Sequence, residues 1–576
     1  MSRESTQFRV PAGGELPAAA LRGRLQPVQE AHRCLRVKPV IRLIRFPAIA
    51  ILAVLAAPAL GQAAEAPVVP WTVPAAENFA YGVSSGEVSQ RSAMLWARAG
   101  RAGKGSVEIA TDPAFRKVKL RRAVDATAAN DTTMMATVRG LRPGTRYWYR
   151  FTLDGTTSDT GAFRTASPSG SSAPVRFAFS GDAQASIQPS TGKPFFNDFE
   201  VFDRMVEEKN DFNVLQGDTI YSDTQIGGRI EGVELIAPWT AYSVAEKWAT
   251  YRQNLATAPM ARFRGAATLY SHWDDHEFIN NFTRGDDGEP LFNAGREAFL
   301  DYTPVRWKKG TGLYRKVGWG RNLDVFFLDQ SSFRSKMAEQ DCISPITGNP
   351  DPAPSDVQEM RQQFAGLVPA LGGPITDRCK AALADPKRTM LGPAQYKRFL
   401  ADIRASKARF KVVMVQGPIS QLVINSFDRW EAYSYERTRL LRALEKESPK
   451  GLIFLTTDIH ANTVGTVRYK TLGKGAPDNT PFTEVSVGPI AATTHKNQIG
   501  GSVGLPNAGD LVRDAFYLPK PPKGVGLRCA AIDTYAYGQV SVSSRQLKVE
   551  MKDLNGKPVL GADGKPCAPV VIRPGN

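Results

Sequence analysis

Histidine is scarce in this chain of 576 residues, which has only five. His32 lies near the N-terminus, and the others are His272, His276, His460 and His495. A site built mainly from imidazoles is therefore excluded, and any cation must rely on oxygen ligands, which suit calcium, magnesium, manganese or iron better than zinc alone. Cysteine is equally sparse, and no two of the five have the close spacing of a thiolate metal site. No apolar run is long enough for a confident membrane span; the longest candidate, Phe46 to Leu60, falls short. No Lys/Arg run is dense enough to argue a nucleic-acid groove, and no repeat at a solenoid period is present. Charged residues make up 22% and the hydrophobic class 42%, a balance that excludes disorder.

The length suits two domains with large cores. Net charge is +17, of which residues 1–63 carry +6, so the body is cationic and favours anionic substrates. Arg42 and Arg45 precede the Phe46–Leu60 run, and Gly61-Gln-Ala-Ala-Glu-Ala66 follows it. That order reads as a cleavable export signal over residues 1–66, cut after Ala63 or Ala66, and predicts a periplasmic or secreted protein with no membrane span in its mature form. Export agrees with the cysteines: Cys34 lies in the leader, and Cys342, Cys379, Cys529 and Cys567 remain. An even number outside the cell implies disulfides. Three connectivities are open; Cys342–Cys379 and Cys529–Cys567 are favoured, because each pair brackets one Pro/Gly-rich stretch.

The mature chain divides into two bodies. Residues 67–166 carry short alternating runs, among them Ser92 to Arg98, Ser106 to Ala110, Thr132 to Val138 and Tyr147 to Leu153. Turn residues separate them at regular spacing, which predicts an all-β sandwich, similar to fibronectin type III domains around Gly140 to Phe151. Ser167-Pro-Ser-Gly-Ser-Ser-Ala-Pro174 reads as a linker. From residue 175 to 576, strand-like runs alternate with amphipathic ones, predicting an α/β or α+β layered domain. Phe195 to Glu208, Leu291 to Tyr302 and Gly392 to Ser406 read as helices, and Leu323 to Leu328 and Lys411 to Val415 as strands. Pro345 to Asp377 reads as a loop-rich insertion.

Four hydrophobic runs end in acidic residues: Val175-Arg-Phe-Ala-Phe-Ser-Gly-Asp182, Phe212 to Tyr221 through Gly217-Asp218, Thr268 to Glu277 through Trp273-Asp-Asp-His-Glu277, and Leu452 to His460 through Asp458-Ile-His460. Carboxylates at the ends of several buried strands repel one another unless cations sit among them, so the recurrence implies metal-assisted hydrolysis. Each cluster alone has a plainer reading as a turn or a helix cap. Asp218 can bridge two cations with its two oxygens. Tyr221 can add a phenolate suited to trivalent iron. Asp275, Asn280 or Asn281 is a ligand candidate, and His276 is a candidate general acid for the leaving oxygen. Asp458 and His460, two apart, fall on one side of an extended segment and would share one cation.

Several of these motifs, in this order, resemble the PhoD-type alkaline phosphatases and phosphodiesterases, which are similar to calcineurin-like metallophosphatases in their four-layered core. Phe79 to Gly86, Leu95-Trp-Ala-Arg98 and Gly140-Leu-Arg-Pro-Gly144 resemble the family's N-terminal sandwich. Gly217-Asp-Thr-Ile-Tyr221, Trp273 to Glu277 with Asn280-Asn281, Leu328-Asp329 with Arg334, Leu391-Gly-Pro-Ala-Gln395 and Asp458-Ile-His460 resemble its catalytic motifs. The resemblance implies an iron and calcium cluster, with manganese, magnesium or zinc as alternatives. It implies Asp218 as bridging ligand, Tyr221 as iron ligand, Asn280 or Asn281 on the calcium side, Asp458 and His460 as further ligands, and Arg334 toward substrate. Many members have a Cys in a Ser-Cys-Gln context; here Ser180-Gly-Asp182-Ala-Gln184 places Asp182 as the substitute ligand. In Phe427 to Tyr433, Glu431-Ala432 stands for the usual Asp-Gly. The expected function is an exported, monomeric metal-dependent phosphoesterase in which a metal-activated hydroxide attacks small phosphomonoesters and some phosphodiesters, with no specific nucleic-acid partner. The alternatives are a phospholipase D-like or cell-wall-polymer phosphodiesterase and, from another class, a non-catalytic envelope binding protein with a degenerate site.

Overall fold

The strand-like runs that end in carboxylates lie in two facing sheets. The structure, a computed structural model, describes residues 78–224, 227–355, 357–447, 449–472 and 477–575; the leader expected over residues 1–66 lies outside them. One sheet of six strands runs Thr268–His272, Phe212–Gln216, Val175–Ser180, Ala536–Val542, Leu547–Asp553, Val570–Ile572. Its first three strands are parallel and its last three antiparallel. The second, of seven strands, runs Arg315–Trp319, Leu323–Phe327, Phe410–Met414, Leu452–Thr456, Asp478–Ser486, Asn462–Lys470, Cys529–Ala531. Its four central strands are parallel.

Side-chain alternation explains the layering. Phe177, Phe179, Val412, Met414, Ile453 and Leu455 point into the core between the sheets, while the intervening residues point outward. Ala178, Leu215 and Leu269 meet helices Glu200–Glu207, Val244–Leu255, Ala258–Ala266 and Glu289–Tyr302. On the other side, Phe326, Val413 and Phe454 meet helices Gly392–Ala405 and Ser434–Glu447. Both faces of each parallel stretch are covered, which is why those strands read as continuous apolar runs. The result is a four-layered core, helix on sheet on sheet on helix.

Ahead of this core, three strands (Val83–Gly86, Ser92–Arg98, Thr133–Arg139) face a five-stranded sheet around Gly103–Ala110 and Arg146–Leu153, closing on Leu95, Val107, Ile109, Tyr149 and Phe151. This β-rich body is bolted to the core. Tyr270 donates its hydroxyl to the Val88 carbonyl at 2.6 Å, and the Trp96 indole N–H donates to the Asp301 carbonyl at 2.7 Å. Buried Asp131 pairs with Arg98 at 3.0 Å and with Arg252 of the helical layer at 2.5 Å.

One expectation changes. The helix expected from Phe195 starts only at Glu200. The Asn197 side chain accepts the Phe199 N–H at 2.9 Å, and Phe199 adopts φ 62°. That local side-chain bond competes with helix formation. The loop-rich stretch from Pro345 to Asp377 also holds helix Gln358–Phe364 and a turn at Pro369–Gly372. Buried Arg361 fastens it, donating to Asp351 at 2.7 Å and to the carbonyls of Ala353, Ala370 and Gly373. Cys342 is joined to Cys379, and Cys529 to Cys567.

Candidate metal centre

The four acidic run-ends meet at one edge of the two sheets. Val175–Ser180, Phe212–Gln216 and Thr268–His272 are parallel neighbours, so their C-terminal ends lie side by side. The Thr457 hydroxyl donates to the Gln216 carbonyl at 2.6 Å, bringing the end of the Leu452–Thr456 strand alongside from the facing sheet. Each chain then turns sharply. Asp182, Asp218, Asn281, Asp458 and His460 have φ of 65°, 48°, 60°, 74° and 52°. Non-glycine residues seldom hold this left-handed conformation, and five of them gather at these strand ends. Gly217, at φ 87°, has no room for a side chain: a Cβ there would lie 2.6 Å from the Asp274 Cβ.

Three groups of side chains bring ligand atoms within 4.8 Å of one another: Asp182, Asp218 and His460; Asp218, Asp275 and His276; and Asp274, Asp275 and Asp458. Asp218 and Asp275 each belong to two groups, so the three adjoin. Burial pushes the Asp182 carboxyl up to about 8. Burial, reinforced by neighbouring carboxylates, holds Asp218, Asp274 and Asp458 well above the usual carboxylate range. Asp182 Oδ2 and Asp274 Oδ2 are buried without a hydrogen-bond partner. Crowded like charges with unused oxygens are what hard cations satisfy, so these residues fit bound metal ions.

The two imidazoles differ. Burial lowers His460 to about 3, so it is neutral, as a ligand must be. Its Nδ1 is hydrogen-bonded to the Thr493 carbonyl, which turns Nε2 to 3.0 Å from the Tyr221 hydroxyl and 3.6 Å from Asp182. For His276, burial works against the proton, but Asp223 overrides it through its charge and a 2.6 Å bond to Nδ1, and His276 stands at about 9. Burial raises the Tyr221 phenol well above its ordinary value.

The PhoD-like phosphatase family matches residues 188–546, and its N-terminal domain matches residues 63–167. This chain belongs to the PhoD-like phosphatase family. Alkaline phosphatase D of Bacillus subtilis (strain 168) is 25% identical over 425 residues, 67% of this chain and 64% of that relative, so the chain spans less than two thirds of the relative's length. A solved structure described as PhoD superposes with a TM-score of 0.63 at 19% identity, covering 86% of this chain and 89% of the other, which shows the shared fold. A purple acid phosphatase from yellow lupin seeds reaches a TM-score of 0.49 at 12% identity, over 86% of this chain and 74% of the other.

In this PhoD-like chain some residues sit otherwise than the sequence suggests. Asp458 and His460 do not share a group, because both are left-handed and the segment is a turn, not an extended strand. Asn280 is exposed, and the contacts of Asn280 and Asn281 to the cluster come from backbone N–H groups, to Asp223 at 3.3 Å and Asp275 at 2.5 Å. Arg334 is buried and donates to the carbonyls of Phe282 and Asp428, which makes it a brace for two loops. Asp329 and Gln395 are fasteners: Asp329 accepts the Trp273 indole N–H at 2.9 Å, and the Gln395 amide carbonyl accepts the Asp329 N–H at 2.8 Å.

Sequence reasoning left out three acids. Asp274 completes one group, Asp223 pairs with His276, and Glu277 clamps the backbone N–H groups of Asp218, Thr219 and Asp274. Asp274 and Glu277 lie inside a quoted motif and Asp223 two residues beyond another, but spacing alone does not say which acid faces the cluster and which holds the loop. The 353–371 segment packs Val357, Met360, Phe364 and Leu371 into one apolar cluster with Val525, Leu527 and Ile459, the residue between Asp458 and His460.

Proposed function

We propose that this chain hydrolyses small phosphate esters, monoesters and some diesters, at alkaline pH. One observation carries the reading: three carboxylate-rich groups adjoin through the shared residues Asp218 and Asp275 on left-handed turns at the strand ends. Asp182, Asp218, His460 and Tyr221 would hold one cation, and Asp274, Asp275 and Asp458 another, with iron and calcium as the proposed pair. Cations bound there supply neutralisation of the phosphoryl oxygens and acidify the attacking water. Asp218 orients the site twice over, since its Oδ1 also accepts the His276 backbone N–H at 3.2 Å. His276, kept protonated by Asp223 on Nδ1, would pass the Nε2 proton to the leaving alcohol oxygen.

Both disulfides support export to an oxidising compartment. No helix among the described residues is long and apolar enough to cross a membrane. The test is turnover of nitrophenyl phosphate and bis-nitrophenyl phosphate by metal-loaded protein across pH. Hydrolysis of both, rising toward alkaline pH, is expected. Activity confined to carboxyl esters or glycosides would sink the reading.

A further inference from the structure

His460 is not held by Thr493 alone. The helix His495–Val503 begins against the metal centre, the His495 N–H donating to the His460 carbonyl at 3.0 Å. Three residues of helix put the side chains of His495 and Gln498 on one face. The Gln498 amide lies between two imidazoles, one of its polar atoms 3.1 Å from His460 Nδ1 and the other 3.2 Å from His495 Nδ1. His495 Nε2 in turn meets the Tyr517 hydroxyl at 2.9 Å, and the two rings stack with centroids 5.8 Å apart. His460, His495 and Tyr517 are all buried.

Only one set of protons lets every contact join a donor to an acceptor. Burial pushes His495 down to about 4, as it does His460 to about 3, so each ring carries a single proton at neutral pH and above. The Thr493 carbonyl can only accept, which puts the His460 proton on Nδ1 and leaves the lone pair on Nε2, toward Tyr221 and Asp182. A protonated Nδ1 needs the amide oxygen, so Gln498, placed with its nitrogen toward His460, satisfies both rings only when turned over. Its NH2 then donates to His495 Nδ1. The His495 proton therefore sits on Nε2, where the Tyr517 oxygen accepts it.

We propose that Gln498, His495 and Tyr517 form a positioning relay that keeps the His460 lone pair on Nε2. An amide free to turn would offer its NH2 to His460 Nδ1 and favour the opposite tautomer, whose Nε2–H cannot bind a cation. Tyr517 pins the tautomer of His495, and His495 pins the amide. That the lone pair serves a cation rests on the ligand reading above; the proton positions do not.

The experiment labels histidine with nitrogen-15 in the full mature chain, where residues 67–576 hold four, and reads the ring nitrogens by NMR in metal-free protein at mildly alkaline pH. His460 protonated on Nδ1 and His495 on Nε2 are expected. Gln498→Glu offers two acceptors, so His495 should change to the Nδ1–H tautomer, with Tyr517 donating to Nε2, while His460 stays as it is. Ferric iron competed against a chelator is the second readout. Gln498→Leu should bind it at least about tenfold more weakly, and Gln498→Glu should keep the parent's affinity. A reversed tautomer at either ring of the parent, no change at His495 in Gln498→Glu, or equal iron affinity in Gln498→Leu and the parent would each overturn the relay. If the parent binds no iron, the ligand reading falls, and the tautomers alone decide the relay.

Discussion

Asp218 stands where two of the acidic groups meet, and its substitution is the sharpest test of the centre. Asp218→Asn keeps the size but removes the carboxylate charge that belongs to two of the acidic groups. His460→Ala removes the neutral nitrogen that the Thr493 carbonyl aims at Asp182. Each variant should lose bound metal by elemental analysis and at least about 100-fold in activity, since even partners one step removed from a metal cost 10–100-fold. Full metal content in either variant would mean that the ligand set is wrong. If iron is bound through Tyr221, the protein should be coloured, and Tyr221→Phe should bleach that band without emptying the rest of the site.

At the scale of single elements, the helix Glu289–Tyr302 places a partly buried acid in its last turn. Asp301, in its last turn, is pushed up to about 7 by burial, only partly relieved by the Trp248 indole N–H at 3.0 Å. An acid raised in the folded state is no burden below its unfolded value of about 3.9, and lowers stability as pH climbs toward 7. Asp301→Asn retains an acceptor for Trp248 and cannot ionise. Its melting temperature should therefore exceed that of the parent at pH 8.5 and approach it at pH 4.5, by scanning calorimetry. A shift of the same size at both pH values would show that ionisation is not the cause. The core between the sheets makes a second test. Phe177 stacks on Phe212 with centroids 4.6 Å apart, and Phe177→Ala should cost about 3–5 kcal/mol in denaturant unfolding.

For the whole molecule, cations bound at the acidic centre would couple metal binding to folding. The centre joins ends of strands from both sheets, so cations that bind only the native arrangement would hold the two sheets together. Saturation at a hundred times the dissociation constant adds about 2.7 kcal/mol. Chelation should lower the melting temperature by several degrees, and returning the metal should restore it; an unchanged melting curve in protein proven metal-free would refute this coupling. The bolting of the β-rich body through Asp131, Arg98 and Arg252 implies that it melts with the core and not as a separate step.

Sequence alone determined the layered class, the β-rich leading body, the strand runs and the four acidic motifs, because period-two burial and continuous apolar runs are local records of which faces a strand hides. It also favoured the disulfide pairs that the structure contains, through the loop-like stretches they bracket. It did not determine which acid faces the centre. Asp274, Asp223 and Glu277 differ from their neighbours only in where a turn aims them, and Asp458 and His460 part company because both are left-handed. The shortened helix after Asn197 and the Asp131 ion pairs likewise rest on hydrogen bonds and charges that meet only after folding. Burial patterns are written residue by residue, whereas the meeting of side chains from segments far apart in sequence is decided by chain closure, and there the tertiary structure alone supplied the answer.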